Sequence, residues 1–252
     1  ILEDVVTVLL VNARHMKQVP GRKTDLKDAQ WIARLLRWGL LKPSLIPPTP
    51  IRELRDLCRY RRKLIEQTSA EKNRVQKVLE DANIKLATVA SNVFGVSGRA
   101  MIKALLEADM TPEEMANLAK GKLREKIPEL IEALEGEVSE NHRFLIRMHL
   151  EHMGYIKEAV AQLDDRIAEK IQPYQDQIER IRTTPGFDVA SAQHAFVEIG
   201  GDIALFPSER HIASWAGLCP GNNESAGKQK SGRTTKGNRW LKSILVQTAH
   251  AS

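Results

Sequence analysis

The sequence predicts a mainly α-helical chain, and three observations carry that prediction. Aromatic residues make up only 5% of the 252 residues while charged residues reach 28%, a balance that suits helices with long solvated faces better than a sandwich or barrel. Ile146, His149, Met153, Ile156, Val160, Leu163 and Ile167 fall at alternating three- and four-residue steps, three heptads of a helical seam. Proline and glycine gather at 43–50 and 184–186, where they separate helical segments instead of interrupting them.

Residues 5–12 (VVTVLLVN) are β-branched and almost uninterruptedly apolar, the pattern of a strand buried on both faces of a sheet. Such a strand needs partners, and none follows it. Residues 26 to about 40 place Ala29, Ile32, Leu35 and Leu36 at helical spacing, with Thr24 or Asp25 as N-cap. Pro43, Pro47, Pro48 and Pro50 then end that helix and form an extended connector. From 51 to about 86 Leu54, Leu57, Leu64, Val75, Val78 and Leu79 alternate with charges as in a helix.

The stretch 87–136 holds shorter helical pieces, one starting at Thr111-Pro112-Glu113-Glu114 with Thr111 as N-cap and proline in the first turn. A long helix follows from about 138 towards 182, kinked at Pro173, its seam facing either the 51–86 helix or another subunit. Thr184-Pro185-Gly186 breaks it, and 190–199, 208–217 and 238–251 each read as helices. Domain boundaries fall near Pro50 and Thr183, giving segments 1–50, 51–182 and 183–252. Because it starts at Ile1 and stops inside the last helix at Ser252, the chain reads as a piece cut at both ends.

Net charge is +6 with a pI near 9.3, and the distribution matters more than the total, since contact with phosphate needs clustering. Between 221 and 252, Lys228, Lys230, Arg233, Lys236, Arg239 and Lys242 stand against Glu224 alone, leaving +5 in that segment. A second cluster, Arg52, Arg55, Arg59, Arg61, Arg62 and Lys63, is offset by Glu53 and Asp56 and has the look of a solvated helix side. Cys58 and Cys219 lie far apart with no ligand spacing, which points to a reduced cytoplasmic setting without a disulfide framework or zinc site. No apolar run approaches the roughly 20 residues that cross a membrane.

Three constellations could carry chemistry. In Lys23-Thr24-Asp25-Leu26-Lys27-Asp28-Ala29 two carboxylates stand three residues apart at a helix start, on one face and within reach of one hard cation. The same spacing also serves a helix that is simply capped by Asp25 and stabilised by Asp28 at its positive end, and spacing alone favours that reading. The segment from Gly217 to Arg233 is a Gly, Ser and Lys-rich loop leading into a basic helix that begins near Lys236. Small residues there let a phosphate backbone approach, and a serine can attack a phosphodiester if a base takes its proton. No histidine lies nearby, so spacing does not choose between Ser225 and Ser231.

Thr184-Pro185-Gly186-Phe187-Asp188 has the form of a helix-hairpin-helix turn, whose free backbone N–H groups bind phosphate; it equally fits a helix C-cap followed by a turn. Trp31, Trp38, Trp215 and Trp240 read as core or interface anchors. His149, His152, His194 and His211 form no ligand spacing.

Taken in order, several motifs give the chain a family resemblance over nearly all its length. They are Val11-Asn12, Val19-Pro20-Gly21-Arg22-Lys23-Thr24-Asp25-Leu26-Lys27-Asp28-Ala29, Ile51-Arg52-Glu53-Leu54-Arg55-Asp56-Leu57 and Ala213-Ser214-Trp215-Ala216-Gly217-Leu218-Cys219-Pro220-Gly221. The last continues through Ser225-Ala226-Gly227-Lys228 to Lys236-Gly237-Asn238-Arg239. The chain resembles insertion-sequence transposases related to the Piv-type DNA invertases, which join a RuvC-like domain bearing four acidic residues to a C-terminal domain bearing a catalytic serine.

The resemblance implies a truncated RuvC-like α/β remnant in 1–50, a helical coiled-coil region in 51–182 and a compact, helix-hairpin-helix-like transposase domain in 183–252. It implies that Asp25 and Asp28 are the third and fourth acidic residues and bind Mg²⁺, and that Ser225 attacks a DNA phosphate and becomes linked to a DNA end. Lys228, Lys230, Arg233, Lys236 and Arg239 would hold nucleic-acid backbone. A guide RNA encoded by the element would pair with target and donor DNA, and the protein would act as a homo-oligomer, dimer or tetramer. The family's other two acidic residues belong to strands that would precede Ile1. Asp188 stands where the family's hairpin has a second glycine, and Ala226 replaces a common glycine beside the serine. Two rival functions fit the same residues: a RuvC-type nuclease in which water attacks, and a catalytically incomplete remnant that only binds nucleic acid or dimerises.

Overall fold

The computed structural model describes residues 5–11, 25–41, 43–107, 109–220, 223–225, 228–231, 233–234 and 236–252, with backbone alone for 25–27, 223–225 and 228–231. In chain order the helices are α1 (Asp25–Arg37), α2 (Thr49–Asp81), α3 (Leu86–Val89), α4 (Val96–Glu107), α5 (Pro112–Ala116) and α6 (Ile127–Leu134). They continue with α7 (Glu140–Ile171), α8 (Gln175–Arg182), α9 (Val189–Ile199), α10 (Glu209–Ala216) and α11 (Arg239–Ala251), while β1 (Asn223–Ser225) and β2 (Lys228–Ser231) precede α11. The chain is mainly α, as its composition predicts. Two compact units divide it, residues 57–170 and residues 1–56 with 171–252.

In the unit 57–170, α2 and α7 lie antiparallel. Arg61 pairs with Asp164, the carboxylate of Glu71 meets the Nδ1 atoms of His149 and His152 at 2.7 and 3.2 Å, and Asp81 meets His142 at 3.1 Å. Partner numbers fall along α7 as they rise along α2. Exposed pairs such as Arg61–Asp164 contribute about 0–1 kcal/mol each and fix register more than stability. The stability lies in the core, where Leu79, Ile84, Leu86, Met101, Ile102, Leu130, Leu134 and Ile146 are almost fully buried in one cluster, at about 1.5–3 kcal/mol per side chain. The seam of α7 is therefore turned inward on its own chain at Ile146 and Met153.

Two ends depart from the sequence reading. Helix α2 stops at Asp81, short of 86, because Asn83 adopts a left-handed conformation (φ 59) and closes the last turn. Ile84 N–H donates to Leu79 O at 2.8 Å and Asn83 N–H to Glu80 O at 3.0 Å, the paired bonds of a Schellman ending. Pro50, assigned to the connector, lies in the first turn of α2, where a missing N–H costs nothing. Thr111 caps α5 as expected, its hydroxyl accepting from Glu114 N–H while Glu114 bonds back to Thr111 N–H.

In the other unit, the described residues 5–11 of the apolar run 5–12 do not form the buried strand their composition suggests. Val5, Val6 and Leu10 are more than half exposed, and the backbone makes one bridge, Val11 to Pro43. Among the described residues the segment has no partner strands, and β1 and β2 form the only sheet. Asn12 and Thr24 lie outside the described residues. The long helix predicted to run to 182 is broken at Pro173, where a 3₁₀ turn (Gln172–Tyr174) separates α7 from α8. Helices α9, α10 and α11 share a core of Ala195, Ala216, Leu241 and Ile244.

Candidate active site and nucleic-acid interface

The segment leading into α11 is organised by a buried acid. Glu198, near the end of α9, is fully buried, a costly place for a carboxylate unless it is paired and hydrogen-bonded. Asn238 Nδ2 donates to its Oε2 at 2.6 Å, and Arg55 Nε lies 3.7 Å from the same oxygen. Arg55 also donates to the carbonyls of Val197 and Glu198 at 3.0 and 3.2 Å, so it is an internal brace and not part of a solvated helix side. His194 Nε2 stands 3.7 Å from Glu198 Oε1.

Asn238 then starts α11. Its Oδ1 accepts from the N–H groups of Trp240 and Leu241 at 3.1 and 3.3 Å, and its own N–H donates to Trp215 O at 2.7 Å. Gly237 before it has no room for a side chain, since a Cβ would lie 2.2 Å from Gly217 N and 2.5 Å from Trp215 O. Lys242 Nζ donates to Gly217 O at 3.1 Å and Thr234 Oγ1 at 2.9 Å, holding the C-terminal end of α10 where carbonyls gather negative charge. The spacing Lys236-Gly237-Asn238-Arg239 thus encodes a cap locked to α10 and α9. Basic helix α11 begins at Arg239, not near Lys236.

Between α10 and α11 the expected loop is a β-hairpin. Asn223 pairs with Ser231, Glu224 with Gln229 and Ser225 with Lys228, with an irregularity after Asn223, and a bridge from Pro220 to Thr234 closes its base. Ser225 is the last residue of β1, and Lys228 the first of β2, so the two flank a two-residue connection. The alternation of Lys, Gln and Ser hides this strand because both faces are polar. Arg233 and Lys236 are exposed between β2 and α11, and Arg239 is exposed with its guanidinium 5.1 Å from the Trp240 ring centroid. Side chains of Ser225, Lys228 and Lys230 lie outside the described set.

The acidic pair sits at the other end of the same unit's sequence. Asp25 is the first residue of α1 and Asp28 follows one turn on, exposed to solvent. Carboxylate oxygens are the donors Mg²⁺ takes, and among the described residues no three His, Cys, Asp or Glu side chains gather into a metal-sized cluster. Fit to Mg²⁺ therefore rests on donor type and on the pair alone.

At residues 184–188 the chain turns between α8 and α9. Gly186 has φ +86, and a Cβ there would sit 2.1 Å from Thr248 O. Asp188 caps α9, its Oδ1 accepting from Ser191 N–H at 2.7 Å. The α9 N-terminus is thereby satisfied by the chain's own carboxylate.

Glu198 and its brace Arg55 are not legible in the sequence as a structural network. The one available signal was a lone acid inside the apolar run Ala195-Phe196-Val197-Glu198-Ile199, four residues after His194.

Residues 1–84 match a family model described as Transposase, of the IS110 DEDD type, and residues 178–252 match one described as Transposase IS116/IS110/IS902 family. A "Probable family 20 transposase" of Pseudomonas aeruginosa is 25% identical over 247 residues, 97% of this chain and 64% of that protein. No solved structure matches the chain. The first matched region contains Asp25 and Asp28, the second Glu198, Ser225 and Asn238. The chain is thus similar to IS110/IS116 transposases in two separate regions, residues 1–84 and 178–252.

Proposed function

We propose that the protein is a DNA transposase that cuts and rejoins strands during movement of an insertion sequence, with Ser225 as nucleophile. The observation that carries this reading is the order of the two matched regions, the acidic pair in the first and the serine hairpin in the second. Ser225 Oγ forms a bond to phosphorus as the bond from phosphorus to one DNA oxygen breaks; the serine proton passes to solvent or a base, and the freed oxygen becomes a hydroxyl end. Attack by another DNA hydroxyl on the phosphoserine linkage reverses the step and joins the strands. Mg²⁺ bound by Asp25 and Asp28 would neutralise charge at the scissile phosphate. Lys228, Lys230, Arg233, Lys236 and Arg239 hold the backbone and position it.

The same reading takes residues 1–50 as part of a RuvC-like domain, 51–182 as a coiled-coil region and 183–252 as the serine-bearing domain. A guide RNA, a homo-oligomeric assembly and a cytoplasmic location belong to it as well. Among the described residues no helix is long and apolar enough to cross a membrane.

A second reading, metal-dependent hydrolysis with Ser225 structural, draws on one observation: Ser225 lies in a paired strand. A strand-joining assay on nicked duplexes carrying element ends, with Mg²⁺ and the complementary RNA, decides between them. Joined products that disappear in both Asp28→Ala and Ser225→Ala support transposition. Cleavage without joining that survives Ser225→Ala supports the nuclease.

A further inference from the structure

The unit 57–170 contains a cavity of about 530 Å³, distinct from the acidic pair and the serine hairpin. That volume is within the roughly 300–1,000 Å³ of small-ligand sites. Its floor is apolar, built on Phe94, Ile102 and Met153, all buried. Its rim is cationic: Lys72, Arg99, Lys103 and Lys157 line it, and among the described residues no Asp or Glu does. Lys103 is partnered at 3.6 Å by Glu107, while Lys72 Nζ sits 5.8 Å from the Phe94 ring centroid. Gly154 of α7 leaves the wall open, since a Cβ there would meet nothing within 4 Å.

An apolar, aromatic floor under a ring of cations suits a ligand with a flat apolar body and a phosphate at its edge. We propose that this cavity binds an unpaired nucleotide of a nucleic-acid strand, its base against Phe94 and Met153 and its flanking phosphates between Lys72, Arg99 and Lys157. The proposal rests on the reading of the protein as a nucleic-acid enzyme, but it assigns a second contact region, separate in sequence from the Ser225 hairpin. A base held in a duplex is stacked and cannot enter such a cavity, so the site selects single-stranded segments.

The test uses the full chain and a fluorescent 12-nucleotide single strand carrying 4-thiouracil, with affinity read by anisotropy across a salt series and the cross-link mapped by peptide. Lys72→Ala/Lys157→Ala is expected to weaken binding on the order of tenfold and to reduce the salt slope by about 1.4, at about 0.7 per single-strand phosphate contact. Gly154→Trp fills the cavity at a helical position that disfavours glycine. It is expected to melt no lower than the parent while losing the cross-link to the Phe94 peptide. Binding and cross-linking unchanged in both variants, but lost in Lys236→Ala/Arg239→Ala, would overturn the cavity assignment alone. Failure of the parent to bind any strand would overturn it together with the proposed function. Retention of anionic lipid vesicles that Gly154→Trp abolishes, with oligonucleotide binding untouched, would give the cavity to a lipid headgroup instead.

Discussion

Asn238 Nδ2 donates a 2.6 Å hydrogen bond to Oε2 of Glu198, which is completely buried. That contact joins the N-terminus of α11 to α9, and Arg55 braces it from the start of α2. Removing one partner of a buried charged network costs about 3–5 kcal/mol because the other charge is stranded. Glu198→Ala is therefore expected to destabilise the unit by that amount, read from the denaturant midpoint. Glu198→Gln, which keeps the shape and an acceptor oxygen, should cost clearly less, and equal losses would refute the charged-network account.

Gly237 and Gly154 make opposite predictions for the same substitution. At Gly237 a Cβ would lie 2.2 Å from Gly217 N, and overpacking against backbone costs about 1–3 kcal/mol. At Gly154 the Cβ would meet open space, and alanine favours the helix by about 1 kcal/mol. Thermal melts of Gly237→Ala and Gly154→Ala should shift down and up respectively.

Glu71 predicts the acid limb of the unit 57–170. Burial pushes its carboxyl up, but the hydrogen bond from His149 and the charges of Arg74, His149 and His152 outweigh that and hold it below the ordinary 4.5. A depressed carboxylate contributes stability that is fully present above its unfolded value and lost as pH falls through its folded one. The parent should therefore lose stability as pH drops below about 4.5, and Glu71→Gln should show a flatter acid limb in urea melts at stepped pH.

Salt dependence separates phosphate ligands from structural cations. On duplex DNA each phosphate contact adds about 0.9 to the slope of log affinity against log salt, so Lys236→Ala/Arg239→Ala should lower it by about 1.8. Lys242 is bound to Gly217 O and Thr234 Oγ1. Lys242→Ala should lower the melting temperature with little change in slope; the reverse pattern would place Lys242 on the DNA.

How much of this could be read from the residues depends on whether the signal was local. Thr111-Pro112-Glu113-Glu114 declared its cap because every partner lies within three positions, and Pro173 declared the break between α7 and α8 for the same reason. The end of α2 was misjudged because Asn83, an unremarkable polar residue in sequence, takes a left-handed conformation that hands Ile84 to the core. Residues 5–12 misled because an apolar run specifies a buried strand only when other strands flank it. At Glu198 the information is non-local: its partners Arg55 and Asn238 are 143 and 40 residues away. The serine hairpin carries no apolar face to mark its strands, so Ser225 is a candidate through ordered motifs and not through periodicity.

The central claim, that Ser225 is the nucleophile, is tested most directly by trapping. The protein is incubated with a nicked DNA substrate that cannot religate, and the denaturation-resistant protein–DNA adduct is digested and sequenced. A linkage is expected on the peptide containing Ser225, absent in Ser225→Ala and retained in Ser231→Ala. An adduct that survives Ser225→Ala, or one mapped to Ser231, would contradict it.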